Sequence, residues 1–155
     1  MMRLCCDVLT ALQGKTLATA ESITGGGIGS ALTAVAGASA VYKGGIISYC
    51  DEVKHNLLGV STEDLEKHGA VSAPVAEAMA QGARKALSAD VAVSVTGLAG
   101  PGGDDHGHTV GTVFVGYSDE KVCFAEECHF TGTREDVRTA TIRYALELVH
   151  AQNKK

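Results

Sequence analysis

The stretch Leu17-Ala18-Thr19-Ala20-Glu21-Ser22-Ile23-Thr24-Gly25-Gly26-Gly27-Ile28 decides the fold. Leu17 to Ala20 is a short apolar strand candidate, Glu21 to Gly27 interrupts the pattern, and Ile28, Leu32 and Val35 resume it at helical spacing. The order is strand, glycine-rich turn, helix. Upstream, Leu4, Cys5, Val8, Leu9 and Leu12 recur at helical spacing, and Gly14 stands where a left-handed C-terminal cap belongs. Downstream, Gly44 to Tyr49 reads as a second strand, with Asp51 as N-cap of a short helix carrying Val53, Lys54, Leu57 and Leu58.

The middle of the chain reads as helical. Ser61 followed by Asp64 resembles a capping box, Gly69 can end that helix, and Ser72 with Pro74 opens a longer one through Val75, Met79, Ala83, Ala86 and Leu87. Asp90 to Thr96 is a buried-strand pattern, after which Gly97 to Gly107 is glycine-rich. Thr112 to Tyr117 and Val122 to Phe130 then form a hairpin about Ser118 to Glu120, and Thr133 caps a last helix. Strands alternating with helices early and a hairpin late predict an α/β fold: one domain over residues 1–155, in three layers, with a mixed sheet covered by helices on both faces.

Composition agrees with a packed domain of 155 residues. Glycine is in excess, 19 residues where average usage would give about 11. Proline occurs only twice and 45% of residues are hydrophobic, which excludes collagen-like and disordered chains. Thirteen basic against 18 acidic residues, net −5, with no basic run before Lys154 and Lys155, argue against nucleic-acid binding. The five cysteines (Cys5, Cys6, Cys50, Cys123, Cys128) form no CxxC pair and sit in apolar stretches, as in a protein of the reducing cytoplasm. No signal sequence and no apolar run of membrane-spanning length is evident, so no membrane partner is expected.

Nine of the 19 glycines fall into two windows, Gly25, Gly26, Gly27 and Gly29, and Gly97, Gly100, Gly102, Gly103 and Gly107. Glycines that end a strand before a helix expose backbone N–H groups to an anion, and both windows are candidates for such a site. Neither is a P-loop, and the GxGxxG spacing is absent. Ser22 before the first window is either a nucleophile or an N-cap, a role that Thr24 can also fill. Lys54 is a candidate base for it, or a solvated lysine. Acting as base near pH 7 requires its pKa to fall from about 10.4 to about 7, at a cost on the order of 5 kcal/mol. Asp104, Asp105, His106 and His108 are ligand types for zinc or manganese, but residues so closely spaced in one loop do not converge on an ion unaided, and no metal or cofactor is expected.

The strings T-A-E-S-I-T-G-G-G, G-G-I-I-S-Y-C-D-E-V-K-H-N-L-L-G-V, H-G-A-V-S, V-S-V-T-G-L-A-G-P-G-G and T-G-T-R-E-D-V-R, in this order, resemble the C-terminal domain family of the competence/damage-inducible protein CinA. Members of that family also occur as stand-alone nicotinamide mononucleotide deamidases. The resemblance implies a three-layer α/β/α sandwich and metal-free hydrolysis of nicotinamide mononucleotide to nicotinic acid mononucleotide and ammonia. It implies a catalytic set of Ser22, Tyr49 and Lys54, with Tyr49 relaying a proton or orienting the lysine. Amides around Thr24 to Gly26 would hold the oxyanion. The resemblance further implies substrate contacts from Glu21, Thr24, Gly25, Gly26, Thr96, Gly97, Gly100, Gly102 and Gly103. The phosphate would lie in the second glycine loop, with Arg134 or Arg138 as counter-charge, and the protein would form a homodimer or higher oligomer. Two segments depart from the family pattern. Where the family usually reads Y-S-N-E-A-K, this chain has Tyr49-Cys50-Asp51-Glu52-Val53-Lys54, and where it reads K-P-V-G, this chain has His108-Thr109-Val110-Gly111.

Overall fold

A computed structural model describes residues 1–155. Five strands form one sheet in the order β2-β1-β3-β4-β5: β1 (Leu17–Glu21), β2 (Tyr42–Ile47), β3 (Val91–Gly97), β4 (Thr112–Ser118) and β5 (Cys123–His129). β2, β1 and β3 run parallel, while β4 and β5 are antiparallel to their neighbours. The predicted mixed sheet is therefore present. Helices α1 (Met2–Ala11), α2 (Gly27–Thr33) and α6 (Arg134–Asn153) cover one face, and α3 (Asp51–Leu58), α4 (Thr62–His68) and α5 (Ala73–Ala86) the other. No helix is long and apolar enough to cross a membrane.

Side-chain alternation along the strands sorts the two cores. Leu17, Val91, Val93, Val95, Val113 and Val115 pack toward α1, α2 and α6 with Ile28, Leu32 and Leu146. Ala18, Ala20 and Ala92 point the other way, toward Val75, Met79 and Ala83 of α5. Small residues on this face let α5 lie close. The Ser94 hydroxyl donates to Ala76 O at 2.5 Å, and a Cβ at Gly116 would collide with that same carbonyl.

Several local expectations shift. β2 occupies Tyr42–Ile47 rather than 44–49, because pairing with β1 starts at Leu17 with Tyr42 and ends at Glu21 with Ile47. Ser48 and Tyr49 consequently lie beyond the strand. Cys50, not Asp51, is the N-cap of α3, and Asp51 is its first residue. Leu12 caps α1, with Gly14 left-handed two residues later. Ser72 precedes α5, but its hydroxyl donates to Gly69 O instead of capping the helix. No helix follows the second glycine window, which joins β3 directly to β4. Ser61 Oγ accepts from the Asp64 amide without the reciprocal bond of the expected capping box, whereas Thr133 caps α6 as read and, with Asp136, forms a full box.

Candidate active site

Ser22 follows the last residue of β1, and its amide donates to Val95 O of β3 at 3.0 Å. Continuing the alternation of Ala18 and Ala20 turns its side chain toward the α3 side, where Lys54 waits. Lys54 and Leu58 form the inner stripe of α3, while Leu57 is exposed. Lys54 is only 2% exposed, and Ser22 8%. The Lys54 ammonium donates to Ser48 O at 2.8 Å and to Ser22 Oγ at 3.2 Å, and no carboxylate forms a salt bridge with it. Burial lowers its pKa, while the negative charges of Asp51 and Cys50 push the other way. Ser48 Oγ, buried nearby, has no hydrogen-bond partner.

The turn after Ser22 is compact. The Gly25 and Gly27 amides donate to Ser22 O and Thr24 O, and Gly26, with φ of 103°, takes the left-handed conformation needed to start α2. The amides of Ile23 and Thr24 have no acceptor within the protein. Arg138, from α6, braces the turn by donating to Ile23 O and Thr24 O.

A cavity of about 510 Å³ opens over Ser22 and Lys54. Its walls are Tyr49 and Asp51, the Gly69–Val71 linker, the end of β3 from Thr96, the loop after it, and Arg134. Thr96 Oγ1 donates to Ala70 O at 2.8 Å, holding the linker against the sheet. In the loop, Asp104 accepts from the amides of His106 and His108 and pairs with His108 Nδ1 at 2.7 Å. Burial opposes the ionisation of Asp104, yet these bonds together hold its carboxyl below the usual range. The Asp104 oxygens therefore serve the loop, and no three metal-ligating side chains converge.

The expected site residues divide accordingly. Ser22, Tyr49, Lys54, Thr96, Gly97, Gly100, Gly102, Gly103 and Arg134 all line the cavity. Tyr49 does so at the rim, 63% exposed, its hydroxyl accepting from Arg134 at 3.0 Å rather than meeting Lys54 or Ser22. Arg134 also donates to Gly100 O at 2.7 Å, so it links the Tyr49 segment to the loop. Glu21 and Arg138 lie outside the cavity wall, bonded to the turn from other sides, and Thr24, Gly25 and Gly26 continue the turn beyond the lining residues Ser22 and Ile23. Of the two arginines only Arg134 faces the cavity. Sequence reasoning passed over Asp51 as a wall residue, Ser48 O as a lysine acceptor and the Gly69–Val71 linker. The last two act through backbone atoms or close packing and leave no signal in residue type.

Residues 3–152 match the family model of the CinA C-terminal domain. A CinA-like protein of Parasynechococcus marenigrum is 51% identical over 129 residues, which is 82% of this chain and 31% of that protein. A CinA-like protein of Geobacter sulfurreducens is 47% identical over 87% of this chain and 33% of its own length. The chain thus spans about a third of the length of these curated relatives. The crystal structure of the competence/damage inducible protein CihA from Agrobacterium tumefaciens superposes with a TM-score of 0.94 at 39% identity, covering 99% of this chain and 95% of that one. The competence damage-inducible protein A (ComA) of Klebsiella pneumoniae gives 0.95 at 36% identity, over 97% and 95% of the two chains. Because sequence motifs and the whole three-layer architecture match nearly from end to end, the chain belongs to the CinA C-terminal domain family.

Proposed function

We propose that this domain is an amidohydrolase that converts nicotinamide mononucleotide to nicotinic acid mononucleotide and ammonia. The observation that carries the reading is the buried Lys54 ammonium, 3.2 Å from Ser22 Oγ and without a carboxylate partner. Burial favours the neutral amine, which can take the serine proton as Oγ attacks the carboxamide carbon. The Ile23 and Thr24 amides are donors for the resulting oxyanion. Collapse breaks the C–N bond, and the proton held by Lys54 leaves with ammonia. Water activated by the same amine then attacks the acyl ester, releasing the carboxylate and regenerating Ser22. The cationic pyridinium near Lys54 further favours its neutral form, and Arg134 beside Gly100 offers a bidentate donor to the phosphate. Tyr49 then closes the rim over the nucleotide.

The test is ammonia release from nicotinamide mononucleotide by the wild type and Ser22→Ala. Release that depends on Ser22 supports the reading, and absence of release from the wild type overturns it. Asp51 favours a second reading, a pocket that binds the nucleotide with little turnover, because its carboxylate raises the pKa of Lys54. Measurable nucleotide binding without ammonia release would select that alternative.

A further inference from the structure

Glu21 is a buried carboxylate, 2% exposed, directly before Ser22, and the chemistry described above does not use it. Strand alternation sends the two side chains to opposite faces of the sheet, Ser22 toward α3 and Glu21 toward α2. Four donors converge on Glu21. Oε1 accepts from Thr24 Oγ1 at 2.6 Å and from the Ile28 amide at 2.7 Å. Oε2 accepts from the Gly29 amide at 3.1 Å and from Thr19 Oγ1 at 3.2 Å, and Thr19 in turn bonds to the Tyr42 hydroxyl at 2.7 Å. Its backbone is equally fixed, pairing with Ile47 of β2 and Val95 of β3.

We infer that Glu21 is a positioning residue for the nucleophile, not a substrate ligand, an inference that rests on Ser22 being the nucleophile. Between the Glu21 backbone and the Thr24 side chain that it holds lie Ser22 and the peptide units carrying the free Ile23 and Thr24 amides. Glu21 therefore pins both ends of the segment that supplies the attacking oxygen and the oxyanion donors. Without it, the turn keeps the Arg138 brace on its carbonyls but loses the tie to β1 and to the start of α2. Small displacements of a nucleophile and its oxyanion donors reduce the chemical step far more than binding, and the loss can reach about 100-fold.

The experiment measures covalent labelling of Ser22 by a fluorophosphonate. Serine oxygen forms a bond to phosphorus, fluoride leaves, and the serine proton passes to Lys54, so no nucleotide substrate is required. Glu21→Gln and Thr24→Val are compared with wild type well below their melting temperatures, together with Thr24→Ser, which restores the hydroxyl. Glu21→Gln and Thr24→Val are expected to label about 10- to 100-fold more slowly, with Thr24→Ser near wild type. With nicotinamide mononucleotide the loss falls on kcat and leaves KM within about twofold. Wild-type rates in Glu21→Gln, or a Thr24→Ser rate as slow as Thr24→Val, overturn the inference while leaving Ser22 as nucleophile. No labelling of wild-type Ser22 removes the nucleophile itself and this inference with it.

Discussion

The turn from Ser22 to Gly26 is tied to buried groups on β1 and β3 and to the half-buried Arg138 of α6, whereas the loop from Gly97 to Gly107 is tied largely to itself through Asp104. Both are glycine-rich exits from neighbouring parallel strands, and in sequence they look alike. The first leads into a helix and is buried from Ser22 to Thr24. The second crosses to an antiparallel strand, is mostly exposed, and meets the rest of the cavity wall through Arg134 and the hairpin. Rigid placement suits a bond-making centre, where geometry governs the barrier. A loop closed by its own hydrogen bonds can adapt to a ligand and suits binding.

This contrast makes predictions of decreasing size. Ser22→Ala and Lys54→Met should each reduce ammonia release by at least about 1000-fold, since paired groups of this kind fail together. Lys54→Met should nevertheless melt at or above the wild-type temperature. The folded state disfavours the lysine charge, so between its lowered pKa and the ordinary 10.5 the unfolded chain binds more protons, and wild-type stability climbs with pH across that window. A large loss of stability in Lys54→Met, read by thermal denaturation, would assign the lysine a structural role instead.

On the loop side, Arg134→Gln should raise KM for the nucleotide by about tenfold, the size expected for losing charge-assisted hydrogen bonds. A fall in kcat with KM unchanged would erase the distinction between the two regions. Asp104→Asn weakens the pairing with His108 and should raise KM by a smaller factor, about threefold, on the scale of one modest hydrogen bond. Steady-state kinetics of both variants decide the matter. The subtlest effect is on pH. Turnover should rise with pH as Lys54 loses its proton, and Asp51→Asn, by removing a charge that raises the lysine pKa, should move that rise to lower pH. A pH profile unchanged by Asp51→Asn would mean that this carboxylate does not act on Lys54.

Much of the fold was legible before any coordinates. The alternation over Asp90–Thr96 and the hairpin of 112–117 with 122–130 identify strands, and Thr133 identifies the start of the last helix. The sequence places β2 two residues late, at 44–49, because its apolar run Ile46-Ile47 lies at the end of the ladder, while Tyr42 and Lys43, before the glycines, start it. Residue type also failed to separate Arg134 from Arg138, one turn apart on the same helix. Four residues apart, the two share one face of α6, and the rise of about 6 Å along the axis brings the first to the cavity loop and the second to the carbonyls of the turn.

Residue order and period established the strand-turn-helix of residues 17–28, the mixed sheet and the candidacy of Ser22 and Lys54, because those depend on local periodicity and on motifs contiguous in the chain. Only the tertiary structure decided that Lys54 is buried with Ser22 and Ser48 O as its acceptors, and that Glu21 faces away from the cavity. Those properties arise where β1, β3, α3 and α6 meet. They come from desolvation and hydrogen bonding between segments as far as 115 residues apart in sequence, which no local pattern encodes.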